Sequence, residues 1–476
     1  MSAKVTALEP AAGSAELAVA DLMRRAHAAM DAYENHDQGR VDEAVTALAW
    51  SIYKPENAKL LAELAVEDTG LGNVDSKIIK NTRKTFGALR DLLRAKTVGV
   101  IEEDPAKGMV KYGKPVGVVG AVCPSTNPAA TPVNKAMMAL KGGNAVVIAP
   151  SPAGYGTTAR TVELMRAELK KCNHPEDLVQ ILPAPVTKEM TQALINSCDL
   201  AVVTGSQNNV KRAMTSGTVA IGVGAGNVPV IIDDTADLDD AAEKITASKI
   251  FDNATSCSSE NSVVILDAVY DQALDALKRA GGHLCDAGEK SKVLDGLWQN
   301  GHLNRHVIAK DMNVFAEVIG LSAAAATAKF AMVEDDRPGP DRPLSDEKLA
   351  LVLTVYRARD FADAKRITNA ILEVKGKGHS VGIHTANPTH ARELAEETDV
   401  VRVLVNQAHT FGNGGSFNNT LPFTLSMGGG TWAGNSISEN LNYRHFINIT
   451  HLVTTIAEDK PSEEALFGGY WSKYGK

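Results

Sequence analysis

The sequence contains little cysteine and no block of basic charge. Its five cysteines, at positions 123, 172, 198, 257 and 285, show neither C-x-x-C spacing nor a disulfide framework, and their odd number fits a reducing compartment. Acidic residues outnumber basic ones by 57 to 49, for a net charge of -8. We therefore expect no nucleic-acid partner, and an anionic small molecule would have to be bound by locally placed donors.

Long apolar runs and targeting signals are lacking as well. No uncharged segment reaches membrane-spanning length, and the alanine-rich first twenty residues carry Glu9 and Glu16 instead of an uninterrupted apolar core. No zinc-binding spacing occurs, so we predict no metal site. These absences favour a cytoplasmic protein without a secretory signal or a membrane partner.

What the chain does contain is typical of an ordinary soluble protein of the size of an enzyme. Its 476 residues, 44% hydrophobic and 22% charged, are enough for two or three domains. Helical periodicity over residues 15–95 gives way to alternation over 97–112, which predicts a β-hairpin. Apolar strands and helices then alternate from Pro115 onward, and again from Cys257 to about Leu404. This pattern predicts an α/β fold with parallel, doubly wound sheets, which bind ligands beyond the carboxyl ends of their strands.

Three loops of this region contain polar residues where a ligand could bind. Asn127 directly precedes a helix, where it is either a ligand-binding amide or only a turn residue. Gly205 and Ser206 lie between a strand and a helix, an arrangement that suits a pyrophosphate but is also common without one. The run Gly222–Asn227 has G-x-G-x-G spacing and is followed by a strand, so it is not a dinucleotide fingerprint.

Cys257 lies on a polar turn between a predicted helix, Leu238–Phe251, and an apolar strand. A thiol in such a loop can face a cleft and act as a nucleophile, because its polar neighbours favour exposure. The alternative is a buried structural thiol, which is our interpretation of Cys123. Glu260, at the start of the strand, is expected to be solvated or paired and not catalytic. The local pattern alone leaves both interpretations of Cys257 open.

Five ordered motifs decide between them. They are P-x-G-V-V-G-A-V-C-P-S-T-N-P from Pro115, G-V-G-A-G-N-V-P-V-I-I-D from Gly222, F-D-N-A-T-S-C-S-S-E-N-S from Phe251, L-S-D-E-K-L from Leu344 and S-M-G-G-G-T-W-A-G-N-S-I-S-E-N from Ser426. Over roughly residues 90–455 the chain resembles the aldehyde dehydrogenase superfamily, in its CoA-acylating branch.

The resemblance implies an aldehyde dehydrogenase-like fold with two doubly wound α/β domains and a small β oligomerisation element. Residues 1–96 and 116–234 would form the cofactor-binding domain, including the N-terminal helices, and residues 235–425 the catalytic domain. Residues 97–115 and 440–476 would supply an oligomerisation hairpin and a C-terminal tail. A homodimer or homotetramer is expected from these elements.

The resemblance also implies roles for single residues. Cys257 would attack the aldehyde, and the Asn127 amide and the Cys257 N–H would stabilise the resulting oxyanion. Glu347 would hold the nicotinamide ribose, and Gly205 and Ser206 would lie beside the pyrophosphate. The remaining residues predicted to contact the cofactor are Ser125, Thr126, Pro150, Ser151 and Gly224.

One departure from the hydrolytic branch predicts the second half-reaction. Hydrolytic members carry a general-base glutamate in a segment reading E-L-G-G, whereas the matching segment here, Gly222–Asn227, has no carboxylate. A water molecule that attacks the thioester would therefore lack a general base. A CoA thiol, with a pKa near ~8.5, can cleave a thioester with less help. Coenzyme A is therefore the expected co-substrate and an acyl-CoA the product, in a reversible reaction.

The segment Asn406–Asn419 and the C-terminal F-G-G-Y-W-S-K-Y-G-K most resemble members that act on sulfoacetaldehyde. Succinate semialdehyde and acetaldehyde are the alternative substrates, and a hydrolytic dehydrogenase is a further alternative. His409, Thr410 and Ser416 are the candidate substrate-binding residues, because a sulfonate needs convergent donors. The stretch Ala149–Pro152 lacks an acidic residue that would repel a 2'-phosphate, so NADP is predicted, with NAD as the alternative.

Overall fold

The computed structural model describes residues 13–34 and 36–476, so residues 1–12 of the predicted cofactor-binding domain lie outside the described residues. Helices come first, as predicted. Asp37 caps the second helix by accepting a hydrogen bond from the Arg40 amide, and Gly70, with a φ of 63°, ends the third. The helices are α1 (Ser14–Tyr33), α2 (Gln38–Tyr53), α3 (Pro55–Thr69), α4 (Val74–Ile79) and α5 (Thr85–Leu93), with a π-helical turn at Lys80–Lys84.

The predicted hairpin is confirmed. Strand β1 (Gly99–Asp104) pairs antiparallel with β2 (Met109–Pro115). A late strand, Ile447–Val453, also pairs antiparallel with β2, which completes a three-stranded sheet. All but the first residue of this late strand are exposed. The sheet corresponds to the predicted small β element, and its role in oligomerisation stays a prediction.

A five-stranded sheet follows, parallel throughout. Its strands are almost entirely apolar and buried, as expected when helices cover both faces. The strand order is β5-β4-β3-β6-β7, so the winding reverses between β3 and β6. The elements are β3 (Val118–Val122), α6 (Ala130–Lys141), β4 (Ala145–Ala149), α7 (Tyr155–Lys171), β5 (Val179–Ile181), α8 (Lys188–Ser197), β6 (Leu200–Thr204), α9 (Gln207–Met214) and β7 (Ala220–Val223).

The second large sheet has seven strands in the order β10-β13-β14-β9-β8-β15-β16, and it is also parallel. Its strands are β8 (Val228–Ile232), β9 (Glu260–Leu266), β10 (Gly282–Leu284), β13 (Phe330–Glu334), β14 (Val352–Ala358), β15 (Gly378–His384) and β16 (Val400–Val405), while β11 (Trp298–Gln299) and β12 (His302–Leu303) form a short separate pair.

Helices surround this sheet, and the chain ends in one more. They are α10 (Leu238–Ile250), α11 (Tyr270–Arg279), α12 (Ala287–Leu297), α13 (Met312–Ile319), α14 (Ala323–Thr327), α15 (Phe361–Val374), α16 (Pro388–Glu397), the short α17 (His409–Gly412) and, after the late strand β17 (Ile447–Val453), α18 (Glu463–Tyr474). Residues 413–440 are largely irregular, as their glycine content predicts. No helix within residues 13–34 and 36–476 combines the length and apolar character needed to cross a membrane.

The chain passes from one large sheet to the other earlier than the predicted boundary. Strand β8 hydrogen-bonds to β9 and β15, so the change falls between Val223 and Val228 and not after residue 234. Both sheets use apolar strands buried on both faces, and this composition does not reveal which sheet a strand joins. The assignment of functions to the domains stays a prediction.

Candidate active site

A cavity of about 320 Å³ lies where the two large sheets meet. Its walls include loops that follow β3, β6 and β7, loops that precede β9 and β14, the π-helical turn and part of the chain after β16. The carboxyl edge of one sheet therefore faces the amino edge of the other. Nine residues predicted from the sequence line this cavity: Ser125, Thr126, Asn127, Gly205, Ser206, Gly224, Cys257, Glu347 and Thr410.

Cys257 is presented by a strained turn. After α10 the chain passes through Asp252, Asn253 and Ala254 with φ values of 49°, 51° and 60°, in the left-handed region. Such residues cost on the order of 1–3 kcal/mol each and persist only where surrounding contacts hold them. The Ser259 amide then donates to the Ser256 carbonyl at 3.0 Å, which closes the turn that carries Cys257.

Asp252 supplies the contacts that hold this turn. Its buried carboxylate accepts hydrogen bonds from the Asn73 amide at 2.9 Å, from Lys77 Nζ at 3.1 Å and from the Thr255 hydroxyl at 2.7 Å, and it is also bonded to Lys80. Burial opposes ionisation, but the Lys80 and Lys77 charges outweigh it and lower the pKa of Asp252. The carboxylate thus ties the nucleophile's loop to α4 and the π-helical turn.

Lys80 extends this network to Asn127. Its ammonium donates to Asn127 Oδ1 at 3.0 Å and to the Thr255 hydroxyl at 2.9 Å. Because an ammonium has only donors, the amide must turn its oxygen to Lys80 and its NH2 group away. Among the described residues, neither the Asn127 NH2 group nor the Cys257 N–H donates to a protein acceptor. Both donors are free for the oxygen of a ligand.

The electrostatic environment of Cys257 favours a protonated thiol. Burial raises its pKa to about 12, with a contribution from the Glu347 carboxylate, while Arg402 opposes the shift. Burial, assisted by Asp346, also raises the pKa of Glu347 to about 7 against the pull of Lys375. Arg402 belongs to β16, and the sequence offers no signal for its position near the thiol.

The glycine segment packs directly against Cys257. Gly224 and Ala225 line the cavity, and a Cβ at Gly226 would lie 2.1 Å from the Cys257 carbonyl oxygen. Glycine is therefore required here for close approach of two backbones. Among the described residues that line the cavity, Glu347 is the only carboxylate, so the segment brings no base to the thiol.

An adjoining cavity of about 350 Å³ opens at the reversal between β3 and β6. Pro150 and Ser151 line it, together with Ser125, Gly205 and Ser206, which also line the first cavity; the sequence predicts all five at the cofactor. Two cationic residues, Lys188 and Arg212, complete its lining, and no carboxylate of the described residues belongs to it. This charge pattern suits phosphate groups.

Two predicted substrate residues do not line the active-site cavity. His409 is buried, its amide donates to Glu260 Oε1 at 3.1 Å, and its Nε2 lies 2.9 Å from the Ser380 hydroxyl. Ser416 is also outside the lining, and its hydroxyl accepts a hydrogen bond from Arg83. Thr410 does line the cavity.

The sequence predicts that Glu260 is solvated or paired; it is not solvated, and its Oε1 accepts a hydrogen bond from the His409 amide. Its carboxyl group is fully buried, and burial raises its pKa to about 7. Its Oε2 has no partner among the described residues. The position at the start of a strand suggests exposure, but α17 covers that end of β9 through the amide bond from His409.

Three basic residues of the site are not predicted from the sequence. Lys80, Arg83 and Lys84 line the cavity, and all three come from the π-helical turn after α4. The segment K-I-I-K-N-T-R-K at positions 77–84 carries a signal in retrospect, because residues 77, 80 and 84 recur at helical spacing on one face. Apart from this spacing, the N-terminal helical region has no cluster of catalytic residue types and resembles a structural scaffold.

Comparison with known proteins identifies the family of the chain. The model of the aldehyde dehydrogenase family matches residues 3–292. An acylating sulfoacetaldehyde dehydrogenase of Cupriavidus necator is 51% identical over 98% of this chain and 95% of its own. An acylating sulfoacetaldehyde dehydrogenase of Bilophila wadsworthia is 42% identical over 96% of this chain and 99% of its own.

A solved structure gives the same result for the fold. An acetylating aldehyde dehydrogenase from Geobacillus thermoglucosidasius superposes with a TM-score of 0.91 at 31% identity, covering 96% of this chain and 100% of that one. The predicted α/β, aldehyde dehydrogenase-like fold is thereby confirmed. The chain belongs to the aldehyde dehydrogenase family, and these three relatives, which it resembles over nearly its whole length, are named as acylating or acetylating enzymes.

Proposed function

We propose that this enzyme oxidises sulfoacetaldehyde to sulfoacetyl-CoA with NADP, reversibly, through a thioester on Cys257. The observation that carries the proposal is the cavity itself. It combines one thiol, two unengaged oxyanion donors and a glycine segment without a base. The names of the acylating relatives support the same reaction and the same aldehyde.

The first half-reaction uses Cys257 and Asn127. The Cys257 thiol gives its proton to solvent, the resulting thiolate forms a bond to the aldehyde carbon, and the carbonyl oxygen becomes an oxyanion. The Asn127 NH2 group, oriented by Lys80, and the Cys257 N–H donate to this oxyanion. A bound nicotinamide would accept the hydride that leaves the same carbon. The acyl group then remains on Cys257 as a thioester.

The second half-reaction transfers that acyl group to CoA. The CoA thiolate attacks the thioester carbon, the same two donors stabilise the second oxyanion, and the bond to Cys257 breaks to release acyl-CoA and the cysteine thiolate. Attack by water would need a general base, and the glycine segment that packs on Cys257 offers none. CoA is therefore the better acceptor in this cavity.

The adjoining cavity supports NADP as the cofactor. Its lining contains Lys188 and Arg212 and, within the described part of the chain, no carboxylate that would repel a 2'-phosphate. Ser206 caps α9, so this helix directs its N-terminal amides toward the strand ends. Glu347 lines the active-site cavity and is the carboxylate that would hold the nicotinamide ribose.

The decisive assay compares turnover with and without CoA. The purified enzyme should reduce NADP with sulfoacetaldehyde only when CoA is present, and it should prefer sulfoacetaldehyde to succinate semialdehyde and acetaldehyde in kcat/KM. Full-rate reduction without CoA would identify a hydrolytic dehydrogenase. Preference for another aldehyde would replace the substrate while keeping the acylating reaction.

Variants test the assigned roles in the same assay. Cys257→Ser should abolish turnover, and Asn127→Ala should lower kcat by about 100- to 1,000-fold, the usual effect of losing one oxyanion donor. Cys172→Ser is the matched control, because this partly exposed thiol lies at the end of α7 outside both cavities. It should leave kcat unchanged.

Arg212→Gln should raise the KM for NADP much more than the KM for NAD.

A further inference from the structure

Two cationic side chains line the active-site cavity without an anionic partner. Arg83 donates from one terminal nitrogen to the Ser416 hydroxyl at 2.9 Å, and its other terminal nitrogen is buried with no hydrogen-bond partner among the described residues. Lys84 is buried and donates to the Gly414 and Gly415 carbonyl oxygens at 2.9 and 3.3 Å. Within residues 13–34 and 36–476, neither forms a salt bridge.

Two neighbouring lysines of the same segment share one counter-charge. Lys77 and Lys80 share the carboxylate of Asp252, as described above. Because Asp252 is already engaged by both, Arg83 and Lys84 remain uncompensated. Burial, with the charges of Arg83 and Lys80 nearby, lowers the pKa of Lys84 to about 7. A buried cation without a counter-charge is strongly unfavourable, so this part of the cavity is complementary to an anion.

Aromatic rings hold the Arg83 guanidinium in place. Its central carbon lies 5.6, 5.4 and 5.7 Å from the ring centres of Phe411, Phe417 and Phe423. Ser416 fixes one end, since the Ser416 hydroxyl donates in turn to Asn418 Oδ1 at 2.6 Å. The guanidinium is thus preorganised, and its unused donors form a planar fork that matches two oxygens of an anionic group.

We propose that Arg83, with Lys84 beside it, binds the sulfonate of the aldehyde substrate, while Ser416 and the three phenylalanines position Arg83. This assignment rests on the proposed function. A sulfonate carries its full charge at neutral pH and presents three acceptor oxygens. The substrate is small enough for its sulfonate and its aldehyde carbon to occupy one cavity of about 320 Å³, with Cys257 in the same lining.

The phosphates of CoA are a second source of the same anionic chemistry. The surroundings of Arg83 favour the substrate, because Phe411, Leu425 and Met427 make this lining apolar and suited to a small molecule. Cofactor phosphates have the adjoining cavity with Lys188 and Arg212. The test below separates sulfonate from CoA by measuring the KM for each.

The test compares Arg83→Gln with wild type on a sulfonated and an uncharged aldehyde. With sulfoacetaldehyde, kcat/KM should fall by about 100-fold, the scale expected when one partner of a desolvated charge pair is lost. With acetaldehyde at saturating CoA, kcat/KM should stay within about twofold to threefold, because no sulfonate is bound. Arg83→Lys should recover part of the loss, since it restores the positive charge but not the planar pair of N–H donors.

Arg90→Gln is the matched control. Arg90 lies over two of the same rings, at 5.2 Å from Phe417 and 5.0 Å from Phe423, but it is paired with Asp91 and does not line the cavity. If the loss of kcat/KM came only from disruption of the aromatic cluster, it would therefore appear in both variants. We expect the selective loss of sulfoacetaldehyde turnover only in Arg83→Gln.

A binding measurement tests Arg83 without relying on turnover. The unreactive analogue 2-hydroxyethanesulfonate should protect Cys257 from alkylation by iodoacetamide in the wild type and not in Arg83→Gln.

An equal loss of kcat/KM on both aldehydes in Arg83→Gln, or equal protection in both proteins, would overturn the assignment. A raised KM for CoA with either aldehyde would overturn it in favour of a CoA phosphate. Failure of the proposed function is distinct, because it appears in the wild type as absent CoA-dependent turnover of sulfoacetaldehyde.

Discussion

At the scale of residues, Lys80 connects the proposed nucleophile and the proposed oxyanion donor. It bonds to the Asp252 carboxylate, which anchors the Cys257 loop, and to the Asn127 amide oxygen. One buried ammonium therefore helps to hold the Cys257 loop and sets which way the Asn127 amide faces. The motifs containing Cys257 and Asn127 were recognisable in the sequence, whereas the lysine between them was not, because it lies on a helical segment 47 residues before Asn127.

The reactivity of Cys257 depends on the charge of Glu347. Since burial and this carboxylate together raise the pKa of the thiol to about 12, alkylation by iodoacetamide in the absence of cofactor should keep rising with pH beyond 9. Glu347→Gln removes the negative charge but keeps the shape. It should lower the thiol pKa and increase the alkylation rate at pH 8, by about tenfold for each unit of pKa.

The direction of this change distinguishes two roles for Glu347. Slower alkylation in Glu347→Gln would show that the carboxylate removes the thiol proton, and it would contradict the purely electrostatic effect expected here. Asp346→Asn is the neighbouring control, because Asp346 raises the pKa of Glu347 but is not among the charges that shift Cys257 or the residues that line the cavity. It should change the alkylation rate much less.

At the scale of elements, the π-helical turn Lys80–Lys84 distinguishes this site. Lys80, Arg83 and Lys84 reach the cavity from one short segment. Widened helical turns of this kind often mark functional sites. Periodicity predicts the surrounding helix well, but it cannot show that the turn widens or that its basic residues bond to the loops at Asp252 and Gly414.

Gly226, in the loop between β7 and β8, lies close to the backbone of Cys257. A Cβ at Gly226 would lie 2.1 Å from the carbonyl oxygen of Cys257, and backbone atoms cannot yield as a flexible side chain can. Gly226→Ala should displace the nucleophile and lower kcat by about 100-fold, the effect of a misplacement near 1 Å. Overpacking should also lower the free energy of unfolding by about 1–3 kcal/mol, measured by urea denaturation.

Gly469→Ala serves as the control for that substitution. Gly469 lies in α18, and a Cβ there would meet no described atom within 4 Å. Its kcat should match the wild type, and its stability should rise slightly because alanine favours a helix. An unchanged kcat in Gly226→Ala would show that the close approach to Cys257 has no role in positioning the thiol.

Most elements were predictable because their apolar patterns are local. The apolar runs Leu200–Thr204 and Val228–Ile232 coincide with strands β6 and β8, and the helix predicted at Leu238–Phe251 ends one residue earlier. The membership of Val228–Ile232 in the second sheet was not predictable, because strand pairing joins residues far apart in sequence. The burial of Glu260 and His409 was missed for the same reason.

At the scale of the whole molecule, one apolar face has no partner within the described chain. In α18, Leu466, Phe467, Tyr470 and Tyr474 are exposed, the first by 64%, although they form a stripe at helical spacing. Such a stripe on an exposed helix marks an interaction surface. It supports the expected homodimer or homotetramer, with the C-terminal tail as part of the interface.

Two substitutions in α18 test this interface. Leu466→Asp places a charge in the stripe, whereas Ser472→Asp places the same charge on the opposite side of the helix. Light scattering after size exclusion should show an assembly of at least two chains for the wild type and Ser472→Asp, and a smaller mass for Leu466→Asp. A monomeric wild type, or equal masses for all three proteins, would contradict the prediction.

Short motifs in the sequence are enough to predict the class of fold and to propose the nucleophile, one oxyanion donor and the lack of a base, because these depend on residue types within each motif. How these groups meet depends on the tertiary structure. It brings the carboxyl edge of one sheet to the amino edge of the other, turns the Asn127 amide through Lys80, and leaves Arg83 and Lys84 uncompensated beside the thiol. Each of these joins residues that are distant along the chain, and such contacts arise from packing, which no local pattern encodes.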